Sequence, residues 1–180
     1  MPASTQRMHA SVLASLLLLA GCATGPADSP EVAPTSLTTA TPEQMVASIR
    51  AAATGDGDKE LAIQPLRDPQ VEDLREQAGR LEQQRYYEDA AKTLDEALAI
   101  VADDPALLQE RAEAALLLKD PVQAEALARR GLSIGSQVGP LCRRHWATIE
   151  QTRLLAGDAA GAKSAKAQVS GCTVGGIDRF

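Results

Sequence analysis

Residues 71–104, VEDLREQAGRLEQQRYYEDAAKTLDEALAIVADD, and residues 105–138, PALLQERAEAALLLKDPVQAEALARRGLSIGSQV, follow one pattern. A shift of 34 residues places Leu74 on Leu108, Ala78 on Ala112, Ala90 on Ala124, Ala97 on Gly131 and Leu98 on Leu132. Apolar residues recur at helical spacing within this span. Val71, Leu74, Ala78 and Leu81 make one stripe, and Ala90, Leu94, Ala97, Leu98 and Val101 make the next. Strand-like alternation is absent, and only 2% of the residues are aromatic, so the core must be Leu and Ala on closely packed helices. A helix pair of this kind cannot bury its apolar face alone, and stacking successive pairs solves that. The expected fold class is all-α, a solenoid of about three α-hairpins.

Helix starts are written plainly. Asp68-Pro69, Asp104-Pro105 and Asp120-Pro121 each set an N-cap acceptor before a Pro whose missing N–H costs nothing in a first turn. Thr41-Pro42-Glu43-Gln44 matches a capping box, and Met45, Ile49 and Ala52 predict a short amphipathic helix that stops at Gly55. A weaker third copy appears at a shift of 38, where residues 157–162 (GDAAGA) align with residues 119–124 and Trp146 falls on Leu108. Four extra residues in the 135–140 loop explain the slip. In this copy Lys166 and Val169 stand where small or apolar residues are expected.

Thirty-four residues is the period of the tetratricopeptide repeat, and the chain resembles that family. Tyr87-Glu88-Asp89-Ala90 is similar to its turn into the second helix, and Ala90, Ala97, Ala124 and Gly131 match its small residues. The resemblance implies a binding scaffold and leaves the partner open. Some members grip a C-terminal carboxylate with Lys and Asn of the inner helices. The matching positions here hold Arg75, Gly79, Glu110, Arg144 and Thr148, which do not supply that clamp. The inner helices do carry extra leucines, with Leu116 and Leu117 beside Leu118 and Leu154 beside Leu155. Arg75, Leu116, Leu117, Arg144 and Leu154 are therefore the candidate partner-binding residues. Two readings of the leucines remain open. They form a groove floor for a partner segment, or they lie under the chain's own 45–53 helix or 174–180 tail.

The N-terminus has the layout of a secretory signal, with Arg7, an uncharged apolar run over residues 10–20, and small residues at Ala20 and Gly21. The run is about half of the roughly 20 residues a membrane span needs. Leu19-Ala20-Gly21-Cys22 closely resembles the lipobox of bacterial lipoproteins. That resemblance implies cleavage before Cys22, palmitate-type acylation of Cys22, and firm anchoring by several chains. Ala23 after the cysteine points to the periplasmic face of the outer membrane rather than the inner membrane. The expected organisation is a signal at 1–21, a lipidated cysteine and disordered Pro/Thr/Ser tether at 22–42, a short helix and linker at 43–68, the repeat domain at 69–172, and a tail at 173–180. The mature chain holds 17 basic and 24 acidic residues, which invites no nucleic acid. The charge is uneven: residues 23–104 sum to −10 and residues 105–180 to +3.

Signs of catalysis are missing. His145 is the single His of the mature chain and has no nucleophile or orienting acid near it in sequence, so a surface or supporting place is expected. Cys142, His145 and Cys172 make three potential metal ligands where a closed zinc site wants four. Asp56-Gly57-Asp58-Lys59-Glu60 is too short for a calcium loop and reads as a turn. No phosphate loop or nucleotide motif is present. The expectation is a protein without enzymatic activity, cofactor or metal, whose partner is an envelope protein or peptide segment. In an oxidising compartment Cys142 and Cys172, at the start and end of the third helix pair, are expected to form a disulfide.

Overall fold

The computed structural model describes residues 35–54 and 68–173. The signal, Cys22, most of the tether, the 56–60 segment and residues 174–180 lie outside the described residues. Seven helices and no strand occur among the described residues: α1 (Pro42–Thr54), α2 (Pro69–Gln83), α3 (Tyr87–Ile100), α4 (Pro105–Leu117), α5 (Pro121–Ile134), α6 (Pro140–Leu155) and α7 (Ala159–Gly171). α2 and α3, α4 and α5, and α6 and α7 pack as successive hairpins, and α1 lies against α6 and α4. The fold is the all-α repeat array that the 34-residue pattern implies.

The local chemistry of each start is as expected. Asp68 accepts from the Gln70 N–H at 2.8 Å, Asp104 from Ala106 at 2.7 Å and Asp120 from Gln123 at 2.9 Å. In the capping box the Thr41 N–H donates to Gln44 Oε1 at 2.8 Å, and the Gln44 N–H donates to Thr41 Oγ1 at 3.3 Å. Asp158 caps α7 through the Gly161 N–H at 2.8 Å. These caps satisfy donors that a helix leaves unpaired.

The turns inside the hairpins reproduce the repeat offsets. Arg85, Lys119 and Gly157, spaced 34 and 38 residues apart, adopt φ of 64°, 62° and 72°. The N–H groups that follow, on Tyr86, Asp120 and Asp158, donate to Leu81, Ala115 and Arg153, each at 2.9 Å. One turn geometry therefore closes all three hairpins, and two of them impose a left-handed backbone on a residue with a Cβ.

Small residues set the helix contacts. Ala90, Ala97, Ala124 and Ala128 are buried, and Gly131 packs directly on the His145 ring. In the third hairpin Ala162 is buried at the place of Ala124. Lys166 is exposed, and Ala165, one residue earlier, is buried instead. Except for Glu110, α4 is buried from Leu107 to Leu117, as a central helix must be when hairpins flank it and α1 crosses it. Cys142 and Cys172 are bonded, with Cα atoms 5.8 Å apart, and the Gly139 N–H donates to the Cys172 carbonyl at 2.7 Å. Ahead of α1, the Leu37 N–H donates to the Leu154 carbonyl at 2.8 Å, so the chain meets the domain before its first helix.

His145 differs from expectation: it is fully buried. It continues the Cys142, Ile149 and Thr152 stripe of α6, and Gly131 leaves room for its ring. Neither ring nitrogen has a hydrogen-bond partner among the described residues, and burial, aided by the Arg144 charge, pushes its pKa down to about 4.

Candidate binding groove

The inner face of the array is formed by the first helices of the hairpins, and α1 fills much of it. Val46 and Ile49 of α1 pack against Ala115, Leu116, Leu117, Ala124 and Ala147. Arg143 of α6 supplies the cation that the last turn of α1 lacks. Its Nε donates to the Ala52 carbonyl at 3.1 Å and its Nη2 to the Ala53 carbonyl at 2.8 Å. Leu116 and Leu117 thus lie under the chain's own helix. Leu154 is half-buried at the far end of α6, where its carbonyl receives Leu37.

The polar side of α1 is tied down as firmly. Glu113, fully buried on α4, accepts from Arg50 Nε at 2.8 Å, Arg144 Nε at 3.0 Å and Gln109 Nε2 at 2.8 Å. Gln109 Nε2 also reaches Thr148 Oγ1 at 2.8 Å. A buried carboxylate is tolerable only when compensated in this way. The Arg50 guanidinium also makes a bidentate pair with Glu82 of α2, at 2.7 and 2.9 Å, and this bond with Glu113 behind it holds its pKa above the ordinary range.

Among the described residues, the groove between α1 and α2 stays open. The Arg50–Glu82 bridge crosses it, and both residues line a cavity on each side, one of about 440 Å³ and one of about 320 Å³. The larger has a floor of Ala78, Gly79, Ala90 and Leu94 and charged walls that include Glu76, Arg75 and Arg144. A Cβ built on Gly79 meets nothing within 4 Å among the described residues. Arg75 is held by Glu110, through Nε at 2.9 Å and a second close contact, and by Glu72 at 2.9 Å. Of the five candidate residues, Arg75 and Arg144 therefore share this cavity. Leu117 borders the smaller one, while Leu116 and Leu154 line neither. The sequence signal for the cavity is Gly79, a glycine inside a helical pattern. That α1 forms the facing wall has no local signature.

Among the described residues, no cluster of His, Cys, Asp and Glu is arranged to hold a metal, and no helix is long and apolar enough to cross a membrane. No protein-family model and no curated protein sequence matches the chain. Among solved structures, the globular C-terminal domain of LpoP from P. aeruginosa is similar, with a TM-score of 0.55 and 32% identity, over 58% of this chain and 99% of that one. The shared portion is close in length to residues 69–172.

Proposed function

We propose that this chain, whose helical domain belongs to the family of the LpoP C-terminal domain, is an adaptor of the bacterial envelope that binds another envelope protein while tethered to a membrane. The observation that carries this reading is the groove between α1 and α2, an open, mixed polar and apolar surface on a domain whose other inner surface is already filled. The tether is assigned to Cys22 on the resemblance of residues 19–22 to a lipobox, and the location to the periplasmic face of the outer membrane. The Cys142–Cys172 disulfide suits an exported domain. The role is binding rather than catalysis, with no cofactor or metal.

Two experiments test it. Cys22→Ser should move the protein to the soluble fraction or leave its signal uncleaved; a variant that matures and sediments with outer membranes as before contradicts the anchor. The protein produced from residue 23 onward should be monomeric and capture its envelope partner reversibly. Recovery only within a fixed assembly would favour a structural subunit instead.

A further inference from the structure

We propose that the larger cavity between α1 and α2 receives a cationic side chain, Lys or Arg, from a partner's segment, with an apolar neighbour resting on the Ala78 and Gly79 floor. The source of that segment rests on the adaptor reading; the chemistry rests on the cavity itself. Its volume of about 440 Å³ falls in the range of small ligand sites. Among the described residues nothing lies within 4 Å of a Cβ at Gly79, which leaves the α2 backbone there accessible to an aliphatic stem.

Charge decides which guest fits. All three cations of the walls are committed: Arg75 to Glu110 and Glu72, Arg50 to Glu82 and Glu113, and Arg144 to Glu113. An incoming carboxylate would find these charges already neutralised by internal carboxylates. Glu76 and Glu82 have capacity left, since a carboxylate can accept about four hydrogen bonds. Among the described residues Glu76 has only a long ion pair with Arg80, at 3.5 Å, with both side chains more than half exposed. The surrounding hairpin adds to this field. Residues 68–104 carry 11 acidic and 4 basic side chains, a net of −7, against +3 for residues 105–171. Such a field steers cations toward the α2 wall and repels anions. An alkyl stem over Gly79 and a cationic head at Glu76 and Glu82 use both features, as long basic side chains do on amphipathic surfaces.

The test is a fluorescence-anisotropy titration of the mature protein in detergent micelles with three labelled pentapeptides: Leu-Arg-Leu-Arg-Leu and its Gln and Glu counterparts. The Arg peptide should bind tightest and weaken several-fold between about 50 and 500 mM salt. Gly79→Trp, which fills the cavity, and Glu76→Lys should each weaken it by roughly tenfold. Glu88→Lys changes the net charge equally away from the cavity and should have little effect. Gly79→Leu serves if the Trp variant melts abnormally. Equal binding of the three peptides, no binding of the Arg peptide at millimolar concentration, wild-type binding by Gly79→Trp and Glu76→Lys, or an equal loss in Glu88→Lys would each overturn the assignment. An envelope partner still captured by Gly79→Trp would sink the cavity's role and leave the adaptor reading standing.

Discussion

Gly131→Ala should destabilise this protein even though it replaces a glycine inside a helix. In an exposed helix the change gains about 0.8–1 kcal/mol. Here the new Cβ would lie 2.8 Å from His145 Nε2, 3.0 Å from Nδ1 and closer still to Cε1. Ordinary contact begins near 3.4 Å, so the ring must withdraw by several tenths of an ångström or more. It has nowhere to go, because His145 has no exposed surface. Overpacking of this kind costs roughly 1–3 kcal/mol; with three ring atoms inside contact distance the upper half of that range applies, so the net loss should be about 1–2 kcal/mol, or about 3–12 °C in melting temperature for a domain of this size. Urea unfolding of Gly131→Ala, His145→Ala and the double variant measures the contact as a cycle. His145→Ala should be costly alone, and adding Gly131→Ala to it should restore the helix-propensity gain, leaving a coupling of about 1–3 kcal/mol. A Gly131→Ala protein more stable than wild type, with no coupling, would show that α5 and α6 do not meet through this pair.

Acid should weaken the fold through His145. The buried His145 stays neutral to about pH 4, whereas in the unfolded chain it takes a proton near 6.5. Stability is therefore level above 6.5 and lost as the pH falls from 6.5 to 4, by up to about 3 kcal/mol. Burial raises the Glu150 pKa and offsets part of this near the lower end. His145→Met should flatten the profile, and equal wild-type stability at pH 5 and 7.5 would contradict the buried neutral ring. Lys119→Gly should stabilise by about 0.5–1 kcal/mol, because φ is 62° there and a left-handed residue with a Cβ costs roughly 1–2 kcal/mol; a lower urea midpoint would argue against that turn. Cys142→Ser with Cys172→Ser opens a loop of sequence separation 30 and should cost about 3–4 kcal/mol in the chain-entropy model. Complete alkylation of the exported protein without reductant would show that the bridge is absent.

The hairpins were legible because their signals are local. Asp-Pro pairs write three helix starts, and the offsets of 34 and 38 locate the turns later found at Arg85, Lys119 and Gly157. The disulfide followed from where its cysteines fall on one hairpin. The inner face was less legible. Met45, Ile49 and Ala52 announce an amphipathic helix without saying which surface it covers, and nothing along the chain records that α1 lies over Leu116 and Leu117. Glu113 and Gln109 read as ordinary polar residues of a helix, yet Arg50, Arg144 and Thr148 complete them from 31 to 63 residues away in sequence. His145 was misplaced for the same reason. Its burial depends on the absent side chain of Gly131 on a neighbouring helix, a vacancy that no pattern along α6 records.

Photo-crosslinking in living cells tests the central claim most directly. A benzophenone amino acid at Glu76, on the exposed wall of the α1–α2 groove, should yield one discrete adduct with another envelope protein, recovered in the outer-membrane fraction. The same probe at Glu88 should yield none. No adduct at Glu76, adducts only between copies of this chain, or an identical adduct from both positions would contradict a tethered adaptor that binds its partner through this groove.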